Sequence, residues 1–491
     1  MKSEHTYTFK IVALLMICAL SLQLTGCGKY SDFQSDSTAP PAAPTSSAAS
    51  SALQQETSVS SAVLPVSSQP TVSSSAASSV SSAASDTTIT EMKTPQVIAE
   101  TEELQTIKRL SVQKADISAE SYTAVDQNNG YLSLTSDAER TLYQLIGNSV
   151  YQVADAKTSS GYAPVGQISI PAKLTEAQIR LTVTAYIDDN PQVFWIANAF
   201  SYALRGNETI IQLYSELTQS ECNAALLAFN GKVQSILQSI PSGLSEFDRE
   251  EYLFNYITQN CVYADTMNES DMDWKLYTAY GALVNGQAVC EGYSRAMLLL
   301  SGYVGLPSVL IRGTGDGIPH MWNGVKINGN WYHLDLTWCD SSNLVYNYFN
   351  INDETLKLTH TIAPMFSELT EEQICSSDSI FNFTLPVCSS SEENYFQKKG
   401  VSISTLDSSE DKAVVTAIAT QMKMGKTTLA FHVTSSDYDA TIKGMISTKP
   451  YKMASYLKNA AAQAGVTLNW KSISYVTDDA NRGLNVFISY Q

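Results

Sequence analysis

The sequence predicts an α+β protein, and three of its stretches predict it. Behind Cys290, apolar residues at Tyr293, Met297, Leu300 and Val304 recur at helical spacing until Gly305 ends the stripe. Two strand-like runs, 321–327 and 331–338, flank Asn328-Gly329-Asn330, one of the strongest short-range hairpin signals. Towards the C-terminus a strand-like run at 428–433, a helical run at 450–464 stopped by Gly465, and β-rich runs at 467–476 and 484–490 make a smaller α+β module over 395–491.

The chain has 491 residues, enough for two or three domains whose cores need no disulfides. Its 48 acidic against 30 basic residues, a net charge of −18, argue against a nucleic-acid partner, because phosphate contacts need clustered Lys and Arg. A charged fraction of 16% lies well below the usual ~25%. Some stretch therefore carries almost no charge.

That stretch lies near the start. Residues 1–26 have the layout of a secretory signal: Lys2 and Lys10 ahead of ten consecutive apolar residues at 11–20, then small residues. The apolar run is too short for a membrane span, which takes about 20 residues. Leu24-Thr25-Gly26-Cys27 looks like a bacterial lipobox, and that resemblance implies cleavage before Cys27 and a diacylglycerol on its sulfur. The protein is then expected outside the cytoplasm, held to the cell membrane by its lipid. Residues 27–92 follow as a tether rich in Ser, Ala and Pro, with twenty serines among 31–90 and no Lys or Arg between Lys29 and Lys93. Such a composition cannot offset its conformational entropy by burial, and a coil of this length has a mean span of roughly 45 Å.

Residues 93–225 read as a mostly helical, partly mixed N-terminal extension. Helical periodicity appears at 138–146 and 179–186, a strand-like run at 165–170, and Asp189-Asn190-Pro191 reads as a helix stop before an apolar aromatic run. Two further helices are expected in 224–260, split by Pro241-Ser242-Gly243, with Phe247, Tyr252, Phe254 and Ile257 on the buried side of the second.

Cys290 falls in the first turn of its helix, where the dipole favours the thiolate, the nucleophilic form of the side chain. If Asn328 and Gly329 make the hairpin turn, Ile327 pairs with Asn330, Trp322 with Asp335 and His320 with Thr337. Paired residues share a face, so His320, Trp322, Gly324, Trp331, His333 and Asp335 project from one side. The other side, with Met321, Val325, Ile327, Tyr332, Leu334, Leu336 and Trp338, reads as core. His320 and Asp335 are then one diagonal step apart, where a carboxylate can hold an imidazole whose other nitrogen faces a thiol. His333 shares that face further from the strand end and suits a structural or substrate-side role.

Ala288-Val289-Cys290-Glu291-Gly292-Tyr293, then His320-Met321-Trp322-Asn323, then Asn330-Trp331-Tyr332-His333-Leu334-Asp335-Leu336-Thr337-Trp338 resemble the transglutaminase-like superfamily, in the branch found in bacterial surface proteins. The resemblance covers roughly 245–355, and a transglutaminase-like domain is placed at 226–390. Met321 stands where the family usually has Ala, and Leu336 where it usually has Pro; neither is a triad position. The resemblance implies a papain-like core, a Cys-bearing helix packed on an antiparallel sheet bearing His and Asp. Cys290 would be the nucleophile, His320 the general base and then acid, and Asp335 the residue that orients it.

In that arrangement Cys290 attacks an amide carbonyl to form a thioester, and its backbone N–H is one oxyanion donor. Gln287 is a candidate second donor, and the flanking Trp322, Trp331 and Trp338 suggest an aromatic-lined substrate cleft, although Trp338 reads better as core. Water as second substrate makes a protease or amidase; a Lys-type amine makes a cross-linking transferase. The expected partners are peptide, protein or cell-wall peptide substrates and, through the lipid anchor, the membrane. No cofactor is implied. The alternative is a catalytically silent module serving envelope adhesion or assembly.

Other patterns are weaker. Gly313-Thr314-Gly315-Asp316-Gly317 lacks the third Gly of a dinucleotide loop and reads as a mobile loop leading to His320. Asp265, Glu269, Asp271 and Asp273 do not match calcium-loop spacing and read as a solvated acidic loop, and no Cys or His spacing suits structural zinc. Of eight cysteines, Cys18 leaves with the leader, Cys27 is lipidated and Cys290 must react. Cys222, Cys261, Cys339, Cys375 and Cys388 remain, an odd number that cannot all pair within one chain.

Overall fold

A computed structural model describes residues 108–113, 117–264, 273–341 and 343–491, with short strands at 31–32 and 96–97. The leader at 1–26, Cys27, the rest of the tether, and Asp265, Glu269 and Asp271 of the acidic loop lie outside the described residues. The protein divides into two compact units: the described residues of 83–337 and 350–390 make the first, and those of 24–82, 338–349 and 391–491 the second. Among the described residues no helix is long and apolar enough to cross a membrane.

In the first unit, the helices at Asp137–Ser149 and Glu176–Asp189 each start with a capping box, Ser136 with Glu139 and Thr175 with Gln178. The second is buried on every side, from Ala177 to Asp188, and so shows little amphipathic pattern. Besides its helices the extension contains a long antiparallel hairpin, Ile196–Arg205 with Glu208–Ser215, turning at Gly206 in the left-handed region (φ 65°). Helices Gln219–Ser239 and Glu246–Asn260 flank the expected break, and the Ser245 hydroxyl caps the second by accepting from the Asp248 N–H.

The central helix, Cys290–Tyr303, is buried from Cys290 to Gly302. Beside it runs a five-stranded sheet in the order 349–351, 330–334, 318–327, 308–315, 360–362. Asn328 (φ 50°) and Gly329 (φ 88°) form the expected tight turn, and the register pairs Ile327 with Asn330, Val325 with Tyr332 and Asn323 with Leu334. Pairing stops there. Residues 336–339 turn into a short helix, so His320 does not face Thr337 and instead pairs with Gly313 on the other side. The Gly313–Gly317 stretch is likewise no mobile loop. Residues through Gly315 are strand, closed by a turn at Asp316 (φ 48°) and Gly317 (φ 82°). At Gly313 a Cβ would come within 2.0 Å of the Thr361 carbonyl, so only glycine lets the 360–362 strand approach.

Both faces of the hairpin are covered. Met321, Val325, Ile327, Tyr332 and Leu334 are buried as expected, but Trp322, His333 and Asp335 on the other face are buried as well. The Cys290 helix is tied to the sheet by Asn323 Nδ2, which donates to the Ser294 carbonyl at 3.0 Å, and by Ser294 Oγ, which donates to the Met321 carbonyl at 3.1 Å.

In the second unit, strands Val401–Ile403, Thr428–Val433, Gly483–Phe487 and Ser474–Asp478 make one sheet whose first pairing is parallel and whose others are antiparallel. Helices Asp411–Lys423 and Lys452–Ala464 bury Ile418, Met422, Met453 and Leu457 in a core shared with Leu429, Phe431 and Leu484. Gly465 ends the second in the left-handed conformation (φ 74°).

Candidate active site

Cys290 opens its helix, with Val289 as the N-cap, so its backbone N–H has no partner within the helix. His320 comes from the 318–327 strand and Asp335 from the first residue beyond the paired strand 330–334. His320 Nε2 donates to Asp335 Oδ2 at 2.6 Å, which leaves Nδ1 for its hydrogen bond with the Cys290 sulfur. All three side chains are buried. Asp335 Oδ1 accepts from the Thr337 N–H at 3.1 Å and the Thr337 hydroxyl at 2.8 Å. The short helix after the strand therefore fixes the carboxylate that orients the imidazole.

Burial opposes charge on both partners, and their mutual attraction wins. Asp335 is held far below the usual carboxylate range because His320 and the hydrogen bonds from His320 and His360 outweigh its desolvation. For His320 desolvation is likewise overcome by the Asp335 charge and hydrogen bond, and its pKa rises to about 10.

Two residues at this centre had no local signal. His360 donates from Nε2 to the same Asp335 oxygen at 3.2 Å and meets the Thr359 hydroxyl through Nδ1 at 2.8 Å. It arrives by strand pairing: His360 sits opposite Gly315 and His320 opposite Gly313, two residues apart on one strand and so on one face. Tyr263 arrives on a two-residue strand, Val262–Tyr263, that pairs in parallel with Gln287–Ala288 just ahead of the cysteine. Its hydroxyl meets both the sulfur and the backbone N–H of Cys290, and burial with the nearby Cys290 and Asp335 charges pushes its pKa up.

The other sequence candidates are placed elsewhere. Gln287 is exposed, with its backbone in the pairing to Val262. Trp322 is fully buried and lines no open cleft; its ring stacks on His320 at 5.9 Å and meets His360 edge-on at 5.0 Å. Trp331 and Trp338 are half-buried, Trp338 edge-on to Tyr348. Cys222, Cys375 and Cys388 form no disulfide.

Beneath Cys290 lies a buried ion cluster. Arg312 holds Asp188 through two bonds of 2.7 Å, and Arg295, one turn along the Cys290 helix, bridges Asp188 at 3.1 Å and Glu291 at 2.8 Å. Desolvation would raise the Asp188 pKa, but Arg312 and then Arg295 more than reverse it. This cluster binds the buried helix of the extension to the helix that presents Cys290.

Among the described residues, two side-chain groups have ligand atoms within metal-binding distance of one another, His320 with Asp335 and His360, and His333 with Asp353 and Cys388. Both nitrogens of His333 are committed, Nδ1 accepting from Trp322 and Nε2 donating to Asp353, so a metal there would demand an imidazolate.

Residues 234–336 match the model of the transglutaminase-like superfamily, and that segment is a transglutaminase-like domain. No curated protein matches the chain. Among solved structures, a TGase is 16% identical over 36% of this chain and 52% of its own, with a TM-score of 0.22. A candidate cysteine protease from Cytophaga hutchinsonii is 13% identical over 28% of this chain and 61% of its own, with a TM-score of 0.17. A candidate protease from Parabacteroides distasonis is 8% identical over 60% and 61%, with a TM-score of 0.19. The chain thus spans between half and two thirds of the length of these structures.

Proposed function

We propose that the protein is a lipid-anchored, extracytoplasmic thiol enzyme that acts on peptide or protein amides through a thioester on Cys290. The observation that carries this is the continuous line from Asp335 through His320 to the Cys290 sulfur at a helix N-terminus. The reaction follows from it. The sulfur attacks the amide carbonyl as thiolate, and a proton released by Cys290 has the imidazole to receive it. The tetrahedral oxyanion accepts from the Cys290 N–H and from the Tyr263 hydroxyl, which turns from the sulfur to the new anion. The intermediate collapses as His320 gives its proton to the departing amine, leaving the acyl group as a thioester. Water, or an amine giving its proton to His320, then attacks the thioester and restores the thiolate and imidazolium. Anchoring outside the cytoplasm rests on the Leu24-Thr25-Gly26-Cys27 sequence and the Ser/Ala-rich tether behind it, which has no Lys or Arg between Lys29 and Lys93.

The test is mass spectrometry of a casein-like protein incubated with the full chain and a labelled primary amine. New termini or deamidated side chains mark hydrolysis, and incorporated label marks transfer. Either must vanish in Cys290→Ala; activity that survives this substitution overturns the reading, and inertness of the unsubstituted chain favours a silent module. Cys27→Ala is expected to move the protein from the membrane fraction to the soluble one.

A further inference from the structure

A second His–Asp pair lies directly behind the first. Trp322 Nε1 donates to His333 Nδ1 at 3.1 Å, and His333 Nε2 donates to Asp353 Oδ1 at 2.9 Å. The other Asp353 oxygen accepts from the Cys388 N–H at 3.1 Å. Trp322 and His333 are completely enclosed, while the Asp353 side chain keeps 28% of its surface exposed. The indole held at this end covers the His320 ring with its face, at 5.9 Å and an interplanar angle of 22°, and packs edge-on against His360.

The direction of each bond is set from the far end. Asp353 is ionised and only accepts, its carboxyl held low by the His333 hydrogen bond despite partial burial. It therefore demands the proton on His333 Nε2, which leaves Nδ1 as the acceptor an indole N–H requires. Desolvation keeps His333 below its ordinary pKa although Asp353 opposes this, so the neutral tautomer persists. A buried indole without its acceptor carries an unsatisfied donor, and a second stable setting for Trp322 would lift its face from His320.

We propose that Asp353 and His333 are positioning residues for the reaction, acting through Trp322 to fix the catalytic imidazole and keep water from its bond to Asp335. This rests on the thiol-enzyme reading above. The charged and titratable groups facing His320 are Cys290, Asp335 and His360; those facing His333 are Asp353, His360, Lys357 and Cys388.

The experiment uses the full chain and two readouts: kcat and KM for the Cys290-dependent reaction on a casein-like protein, and the pH dependence of Cys290 alkylation by iodoacetamide, which needs no substrate. In Asp353→Asn the neutral amide must oppose a donor to either His333 or Cys388. The expected result is a fall in kcat of about 10- to 100-fold with KM within about twofold, and a shift of the alkaline limb of alkylation to lower pH. Trp322→Phe keeps a ring against His320 but has no N–H for His333, and serves as the second variant should Asp353→Asn fold poorly. If Asp353 acts through Trp322, the double variant is no worse than Trp322→Phe alone. Effects that multiply, or an alkylation profile for Asp353→Asn that superimposes on that of the unsubstituted protein, overturn the proposal. If no amide is turned over at all, the enzyme reading fails while the alkylation profiles still decide the positioning role.

Discussion

His360 Nε2 lies 3.2 Å from Asp335 Oδ2, the same oxygen that accepts from His320 at 2.6 Å. With the two bonds from Thr337 on the other oxygen, the carboxylate is ringed by four donors. Hydrogen bonds to a charged group are worth about 1.5–3 kcal/mol each. His360→Phe is expected to lower unfolding stability by about that amount and kcat by about tenfold, the latter through a carboxylate free to turn. Denaturant unfolding and steady-state rates measured on the same preparation check both; an unchanged rate at reduced stability would assign His360 to folding alone.

Asp335→Asn tests the electrostatics of the pair. His320 carries its proton to about pH 10 against an ordinary 6.5, so the stability gained from the pair is complete below about 6.5 and is lost as the pH rises through about 10. With the carboxylate gone, only the Cys290 sulfur is left to oppose burial, and the His320 pKa falls. The alkaline limb of activity is therefore expected to move from near pH 10 to lower pH, with kcat reduced about 10⁴-fold by the lost orientation. A pH–rate profile with an unmoved alkaline limb would show that a different group sets it.

How much of this was legible in the sequence depended on how local the signal was. The Cys290 helix announces itself by apolar residues one turn apart, and Asn328-Gly329 sets a turn whose register carries His320, Trp322, His333 and Asp335 to one face without further information. Alternation along a single hairpin cannot report that this face is covered too; here the His360 ring packs edge-on to Trp322 and Asp353 bonds His333. Past Leu334 apolar alternation continues while pairing stops, since Asp335 captures the Thr337 N–H and turns the chain. His360 and Tyr263 reach the centre through short strands paired with distant segments, Gly315 for one and Ala288 for the other, and no local pattern encodes such partners. The Ile196–Arg205 hairpin is hidden for a different reason: adjacent apolar pairs, Ala199-Phe200 and Ile210-Ile211, break the alternation of both strands, and the register shifts between Ile196 and Phe200.

Tyr263→Phe removes a single hydroxyl at the Cys290 N–H and sulfur. Loss of one oxyanion donor costs about 10²–10³ in kcat, and that is the expected fall, with KM little changed because the amide carbonyl in the ground state carries no full charge. The hydroxyl also sits on the sulfur in the resting state, so alkylation of Cys290 by iodoacetamide should be faster in the variant. A fall in kcat accompanied by slower alkylation would point instead to a displaced Cys290.

Asp188→Ala probes the buried cluster that carries the Cys290 helix. Removing the carboxylate leaves Arg312 and Arg295 enclosed, with Glu291 as the remaining anion. Stranding a buried charge in this way costs about 3–5 kcal/mol, and a large drop in thermal midpoint is expected. Asp188→Asn keeps hydrogen-bond acceptance at one oxygen but removes the charge, so it should fall between the two. Because Glu291 adjoins Cys290 and depends on Arg295, relaxation of the cluster is expected to reach the helix start, seen as faster hydrogen exchange at the amides of Cys290 to Arg295 than at the Ser308–Gly315 strand. Equal acceleration in both segments would mean that Asp188 stabilises the unit as a whole and not this helix in particular.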